Sequence, residues 1–294
     1  MNTIKKDGRK NYVCTIDVET ACGLEPIYDK QGNFLGNKSK GFAEPLIYDL
    51  GFAISDKKGN IVYEKSFLIK EIFLNQEIMS TAYYVSKVPM YWIQLHNGEH
   101  ELVFWNEAVD CLAQALDYFD VSTIMAYNLN FDKRAMNCSN SFLNGEELNF
   151  DEYKQVCIWS LACETIFSQK SFPKIAVAQG WYSEKGNLKT NAEICYRYIT
   201  GDYGFIEDHT GLSDVRIEVK IMAHCYRQRK AVKSGILGSP WRIPNTVHKD
   251  YTSRAIPKHQ AYVKEMKRIC DLQNAKMPVV EDLGYQWGTL NLNK

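Results

Sequence analysis

The sequence predicts an α/β fold, a mixed sheet with helices packed on its faces. Runs of strand length rich in β-branched and aromatic residues occupy 12–18, 46–55 and 60–69. The apolar spacing then turns helical, with Leu102, Val103, Ala108, Val109, Leu112, Leu116 and Phe119 recurring every three or four residues. Beyond that helix, strand-like and helix-like segments alternate, and such alternation builds a sheet covered by helices.

In order, YVCTIDV reads as a buried strand. Residues 23–44 carry the turn signals DKQGN and GNKSKG and read as a loop or small hairpin inserted after it. LIYDLGFAIS and NIVYEKSFLI, joined by DKKGN, read as a β-hairpin. A helix is expected from Glu101 to Phe119, a strand in STIMAYNLNF, and a helix opening near Asp132. QVCIWSLACETIF at 155–167 fits a short strand running into a helix, and 190–200 and 213–230 read as two more helices. Residues 231–294 hold ten Lys or Arg against five Asp or Glu, so this stretch is +5 and the preceding residues −5. They are expected to form a basic C-terminal extension on a domain spanning 11–230. Within it, Pro257 opens a helix to about Lys276 with Tyr262, Met266, Ile269 and Gln273 on one face.

Of the 294 residues, 45% are hydrophobic and 24% charged, which excludes disordered and collagen-like chains. No apolar run approaches the length of a membrane span, so no membrane role is expected. Thirty-five basic residues balance thirty-five acidic ones, so a polyanion would have to be held by a local patch or by bound metal ions. The nine cysteines include no C-x-x-C pair and follow no apolar leader, which predicts reduced core thiols in a cytoplasmic protein.

Three short segments carry chemistry. Asp17 and Glu19 alternate with Val18 on the first strand, so both carboxylates share one face. Paired acids on an apolar strand call for neutralisation, and a divalent cation with oxygen ligands supplies it. Asn128 and Asp132 lie where the strand STIMAY runs out into a helix. His209 precedes Asp214, which shares a core-facing stripe with Ile217, Ile221 and Cys225, and Ser213 or Asp214 is the expected N-cap. Singly, each has a plainer reading: solvated strand-end acids, a helix-start acid, a surface histidine.

Taken together, in this order, they resemble the DEDDh branch of the DnaQ-like 3′–5′ exonucleases. The pattern D-x-E-T matches Asp17, Glu19 and Thr20; N-x-x-F-D matches Asn128, Phe131 and Asp132; H-x4-D matches His209 and Asp214. LIYDLGFAI and AEICYRY are similar in type to the family's flanking segments, and the resemblance covers roughly 11–230. Two features depart from the family pattern. The glycine after D-x-E-T comes one residue late, in DVETACG, and Trp159 stands where an aspartate is common.

The resemblance implies a ribonuclease H-like mixed β-sheet flanked by helices, with a C-terminal extension. It also implies hydrolysis of single-stranded nucleic acid, DNA in the first place, from the 3′ end with release of nucleoside 5′-monophosphates. Asp17, Glu19, Asp132 and Asp214 would hold two Mg²⁺ or Mn²⁺ ions, with His209 as general base and Thr20 and Asn128 holding the 3′ nucleotide. The run Arg227, Arg229, Lys230 and Lys233 reads as a phosphate track or as a solvated helix end. Tyr83, Tyr84, Tyr91 and Trp92 read as base-stacking or core residues. A 3′–5′ exoribonuclease, a non-catalytic exonuclease-like subunit of a replication complex and a metal-dependent protein binder using the tail are the alternatives. A polymerase or other replication or repair partner would have to be a separate chain.

Overall fold

The computed structural model describes residues 12–145, 148–230, 232 and 238–276. Strand β1 (Val13–Cys22) is followed by a two-stranded ribbon, β2 (Leu24–Tyr28) and β3 (Phe34–Ser39), which is the hairpin expected within 23–44. β4 (Pro45–Ser55) and β5 (Ile61–Ile69) form the second hairpin. Asp56 closes its turn by accepting from Lys58 and Asn60 backbone N–H groups, and Gly59 there takes a positive φ of 90°.

Short helices α1 (Lys70–Phe73), α2 (Gln76–Met79) and α3 (Val88–His96) lead to β6 (Glu101–Val103). Then come α4 (Trp105–Tyr118), β7 (Thr123–Ala126), α5 (Leu129–Leu143), β8 (Lys154–Cys157) and α6 (Ile158–Thr165). The described chain ends with α7 (Phe172–Ala178), α8 (Ala192–Thr200), α9 (Gly211–Arg227), α10 (Arg242–Val247) and α11 (Lys249–Lys276).

The six-stranded sheet has the order β6-β5-β4-β1-β7-β8. β4 pairs antiparallel with both β1 and β5, whereas β7 is parallel to β1 and to β8. This is the mixed sheet flanked by helices that the sequence predicts. Side chains alternate across β1, so Cys14, Ile16 and Val18 enter the core under α4 and α5, while Val13 enters the core under α6 and α9. Asp17 and Glu19 continue the Val13 face. β7 ends at Ala126, one residue past its Met125–Thr15 pairing, while the parallel strand β1 runs on to Cys22, so Asp17 and Glu19 lie just beyond the end of β7, where α5 starts.

Four boundaries differ from expectation. The strand expected in STIMAYNLNF stops at Ala126, because the left-handed turn at Asn128 starts α5 at Leu129, so residues 129–131 are helical. Glu101–Val103 is an edge strand parallel to β5, and the helix begins only at Trp105. Leu102 and Val103 suit either periodicity, and the open edge of β5 decides for strand. α9 starts at Gly211 with Thr210 as N-cap, so Asp214 sits inside the first turn rather than capping it. The last helix starts at Lys249 and runs through Pro257. Pro257 removes one hydrogen bond, to the carbonyl of Ser253, and both residues are exposed, so water can satisfy that carbonyl.

α10 and α11 pack against α6 and α7. His248 Nε2 lies 2.8 Å from the Phe167 carbonyl, and Asn245 accepts from the Leu188 N–H at 2.8 Å. Tyr262 and Met266 are exposed, and the side chain of Gln273 lies outside the described residues, as do residues 277–294. The nine cysteines are free thiols; five are buried, whereas Cys270 is exposed on α11 rather than in the core. No described helix is long and apolar enough to cross a membrane.

Candidate active site

The β1–β4 register places Asp17 opposite Gly51 and Glu19 opposite Asp49. Backbone contact at this point is close. A Cβ added to Gly51 would stand 2.2 Å from the Gly211 carbonyl carbon, and one added to Gly211 would stand 2.7 Å from the Gly51 nitrogen. Two glycines thus let the start of α9 lie directly on the sheet beside Asp17, which carries Asp214 to the acids of β1. Asp132 comes from the first turn of α5 and hydrogen-bonds to the backbone N–H of Val18, between the two β1 acids. Asn128 makes the turn that allows this, with a left-handed φ of 77° that asparagine tolerates better than most residues.

The four acids therefore converge from β1, α5 and α9, three elements remote in sequence. Asp132 and Asp214 are buried, and Asp17 and Glu19 half-buried. Burial pushes the carboxyls of Asp17 and Asp132 far above the usual range, and Asp132 adds to the effect on Asp17. Burial and the Asp17 charge raise Glu19 to about 10; burial, then Asp17, Glu207 and Glu19, raise Asp214 to about 11. Such a cluster is destabilised by its own charge and gains from any cation placed within it.

Asp214 Oδ1 is buried with no hydrogen-bond partner among the described residues. A buried carboxylate oxygen left open in this way fits a metal ligand. Ligand atoms of Glu19, His209 and Asp214 lie within 4.8 Å of one another, and so do those of Glu193, Glu207 and His209. The donor set is dominated by carboxylate oxygens, which suits hard divalent cations.

His209 also has a left-handed φ, 50°, and its Nδ1 lies 3.7 Å from Glu207 and 3.8 Å from Asp214. The Tyr84 ring stacks on the imidazole at 4.5 Å with an interplanar angle of 13°. Lys87 lies over the Tyr84 ring and donates to the Asp208 carbonyl. Burial and then the Lys87 charge lower the His209 pKa, so the ring gives up its proton more readily. Thr20 follows Glu19 at a register shift between β1 and β4 and is half-buried.

Several residues at this centre were not singled out from the sequence. Glu218, one turn after Asp214 on the same buried stripe, accepts from the Tyr127 N–H at 3.0 Å. Burial, then Asp17 and Asp132, hold its carboxyl well above the ordinary range. An acid on the stripe of Ile217, Ile221 and Cys225 was a visible signal, as was Asp49 within the apolar run LIYDLGFAIS. Glu207, raised to about 7 by burial and Glu193, gave no such signal.

Of the tyrosines and tryptophan considered for stacking, Tyr91 is fully buried, whereas Tyr83 and Trp92 are exposed. Arg227 ends α9, about 20 Å from Asp214 along the helix. Lys230 donates to the Thr165 carbonyl, and Lys233 lies outside the described residues. Trp159 donates to Thr190 Oγ1 at 2.9 Å.

No family model matches the chain, and no curated protein matches its sequence. Among solved structures, the chain is similar to E. coli exonuclease I in complex with a 5cy-dT13 oligonucleotide, at 14% identity and a TM-score of 0.39. It is similar likewise to E. coli exonuclease I in complex with a dA16 oligonucleotide, at 14% and 0.40, and to an apo exonuclease I, at 14% and 0.39. The likeness covers 72% of this chain and 40% of the dT13-bound enzyme, so the chain spans about two-fifths of that protein's length.

Proposed function

We propose that the protein is a metal-dependent 3′–5′ exonuclease that hydrolyses single-stranded nucleic acid, DNA in the first place, to nucleoside 5′-monophosphates. The observation that carries this is the convergence of Asp17, Glu19, Asp132 and Asp214 beside His209, with one buried Asp214 oxygen that has no hydrogen-bond partner among the described residues. The catalytic unit is the 11–230 region, with 231–294 as its basic extension.

Asp17, Glu19, Asp132 and Asp214 would hold two Mg²⁺ or Mn²⁺ ions, which supply charge stabilisation to the attacking and leaving oxygens of the phosphodiester. His209 takes the proton from the attacking water as the water oxygen bonds to phosphorus and the bond from phosphorus to the 3′ oxygen of the penultimate nucleotide breaks, that oxygen leaving with the electron pair and taking a proton from solvent. The lowered pKa of His209 keeps it neutral, and so able to accept, near neutral pH. Stacking against Tyr84 limits the imidazole's rotation, so the accepting nitrogen is held in place. Thr20, next to Glu19 on β1, and Asn128, in the turn after β7, hold the terminal nucleotide. Cations held by these carboxylates would supply the positive charge that meets the phosphate, consistent with a chain of no net charge.

The test is degradation of 5′-labelled single-stranded DNA and RNA oligonucleotides, side by side, with Mg²⁺ and with EDTA. A descending ladder with mononucleotide release, lost in EDTA, is expected. Full activity in excess EDTA, or cleavage abolished by blocking the 5′ end, overturns the reading.

A further inference from the structure

Asp49 is fully buried in the middle of β4, and its carboxylate is surrounded by donors from three other parts of the chain. Tyr91 Oη donates to Oδ2 at 2.9 Å, the Gly211 backbone N–H donates to the same oxygen at 2.9 Å, and Ser66 Oγ donates to Oδ1 at 3.3 Å. His100 Nε2 stands 3.7 Å from Oδ2, and neither of its ring nitrogens has a hydrogen-bond partner among the described residues. Tyr91, Ser66 and His100 are themselves buried.

The Gly211 N–H is one of the donors at the N-terminus of α9 that have no acceptor within the helix. It belongs to the residue that lies against Gly51 and sits between His209 and Asp214. Apolar packing alone cannot set the height and rotation of a helix start at a glycine, because the glycine has no side chain to interdigitate. A hydrogen bond from a fixed strand residue can. Asp49 is also the cross-strand neighbour of Glu19, so the strand position that grips α9 is tied by register to the acids of β1.

We propose that Asp49 is a positioning residue: its carboxylate clamps the Gly211 N–H and so sets His209 and Asp214 against Asp17 and Glu19. This rests on the nuclease reading above, with Asp49 neither a metal ligand nor a group that touches substrate. The clamp needs an acceptor at the Oδ2 position, not a charge. An asparagine can place its amide oxygen there for Tyr91 and Gly211 and turn its NH₂ toward the Ser66 hydroxyl, which can accept. Alanine leaves all three donors without a partner.

The experiment compares Asp49→Asn, Asp49→Ala and Tyr91→Phe in the full chain, by steady-state kinetics on single-stranded DNA with Mn²⁺ and by hydrogen exchange of residues 205–216. A displacement of about 1 Å at a reacting group costs on the order of 100-fold in rate. Asp49→Ala should therefore lose about 100-fold in kcat with KM within about threefold, and its 205–216 amides should exchange faster. Asp49→Asn should keep kcat within about threefold of wild type and wild-type exchange, with Tyr91→Phe between the two.

A folded Asp49→Asn that loses as much kcat as the alanine variant overturns the proposal, because the charge rather than the acceptor would then matter. A folded Asp49→Ala with wild-type kcat and exchange overturns it equally. If Asp49→Ala does not fold, the asparagine and phenylalanine variants decide by the same criteria. If the wild-type chain shows no nuclease activity, the proposed function falls, and hydrogen exchange alone still decides the clamp.

Discussion

Replacing Asp214 by asparagine should stabilise the metal-free protein. The side chain keeps its shape and loses its charge. In the folded chain the carboxyl is raised to about 11, burial being the largest cause and Asp17, Glu207 and Glu19 the next. In an unfolded chain it titrates near 3.9, so folding at pH 7 must take up a proton. For a raised carboxyl, the stabilising contribution is whole below about pH 4 and is lost as pH rises toward the folded value. The loss is about 1.4 kcal/mol per pH unit for one group.

At pH 7 that amounts to about 4 kcal/mol, an upper figure because the same repulsions also raise Asp17 and Glu19. Removing one member of a shared set should relieve about 1–3 kcal/mol, or roughly 2–5 °C in melting temperature for a chain of this size. The assay is thermal melting in EDTA and in Mn²⁺ at several pH values between about 5 and 9. In EDTA the wild type should melt lower as pH rises, and Asp214→Asn should melt higher than wild type with a shallower pH slope. In Mn²⁺ the order should reverse, because ion binding stabilises the folded state and the variant lacks a ligand. A variant melting at or below wild type in EDTA at about pH 8, or a wild type whose melting is flat across the range, would refute the reasoning.

Asp17→Ala, Glu19→Ala and Asp132→Ala should each lower turnover by several orders of magnitude while the fold persists, checked by single-turnover assays alongside circular dichroism. His209→Ala and His209→Gln should both lose most of kcat and still bind Mn²⁺ by calorimetry and strand by anisotropy. Because the neutral imidazole is the active form and its pKa is lowered, the wild-type rate should rise with pH through a midpoint below the usual value for histidine. Loss of Mn²⁺ binding in His209→Ala would instead make His209 a ligand, a role that its nearness to Glu19 and Asp214 also permits. Tyr84→Leu removes the ring stacked on His209 and should lower kcat about threefold to tenfold, with KM nearly unchanged. Equal kcat in that variant would show that the stack does not hold the imidazole.

The alternating pattern of YVCTIDV and the two hairpin runs determined β1, β4 and β5 and the shared face of Asp17 and Glu19, because strand periodicity is a local property of the backbone. The order of the three acidic segments likewise marked Asp132, His209 and Asp214 for attention. What local pattern could not decide is where elements meet. β6 is a strand because β5 offers it an edge, and the last helix passes through Pro257 because its start packs on α7 and the freed carbonyl faces water. Tyr84 stacks on His209 only through a closure across more than a hundred residues. Asp49 and Glu218 were legible as acids on apolar faces, but the donors that tie them to α9 and to the end of β7, Gly211 N–H and Tyr127 N–H, are backbone groups that no side-chain pattern announces. A buried acid can be read from sequence as a charge needing a partner. Which partner it finds depends on the close approach of Gly51 and Gly211, and that approach exists only once α9 lies on the sheet.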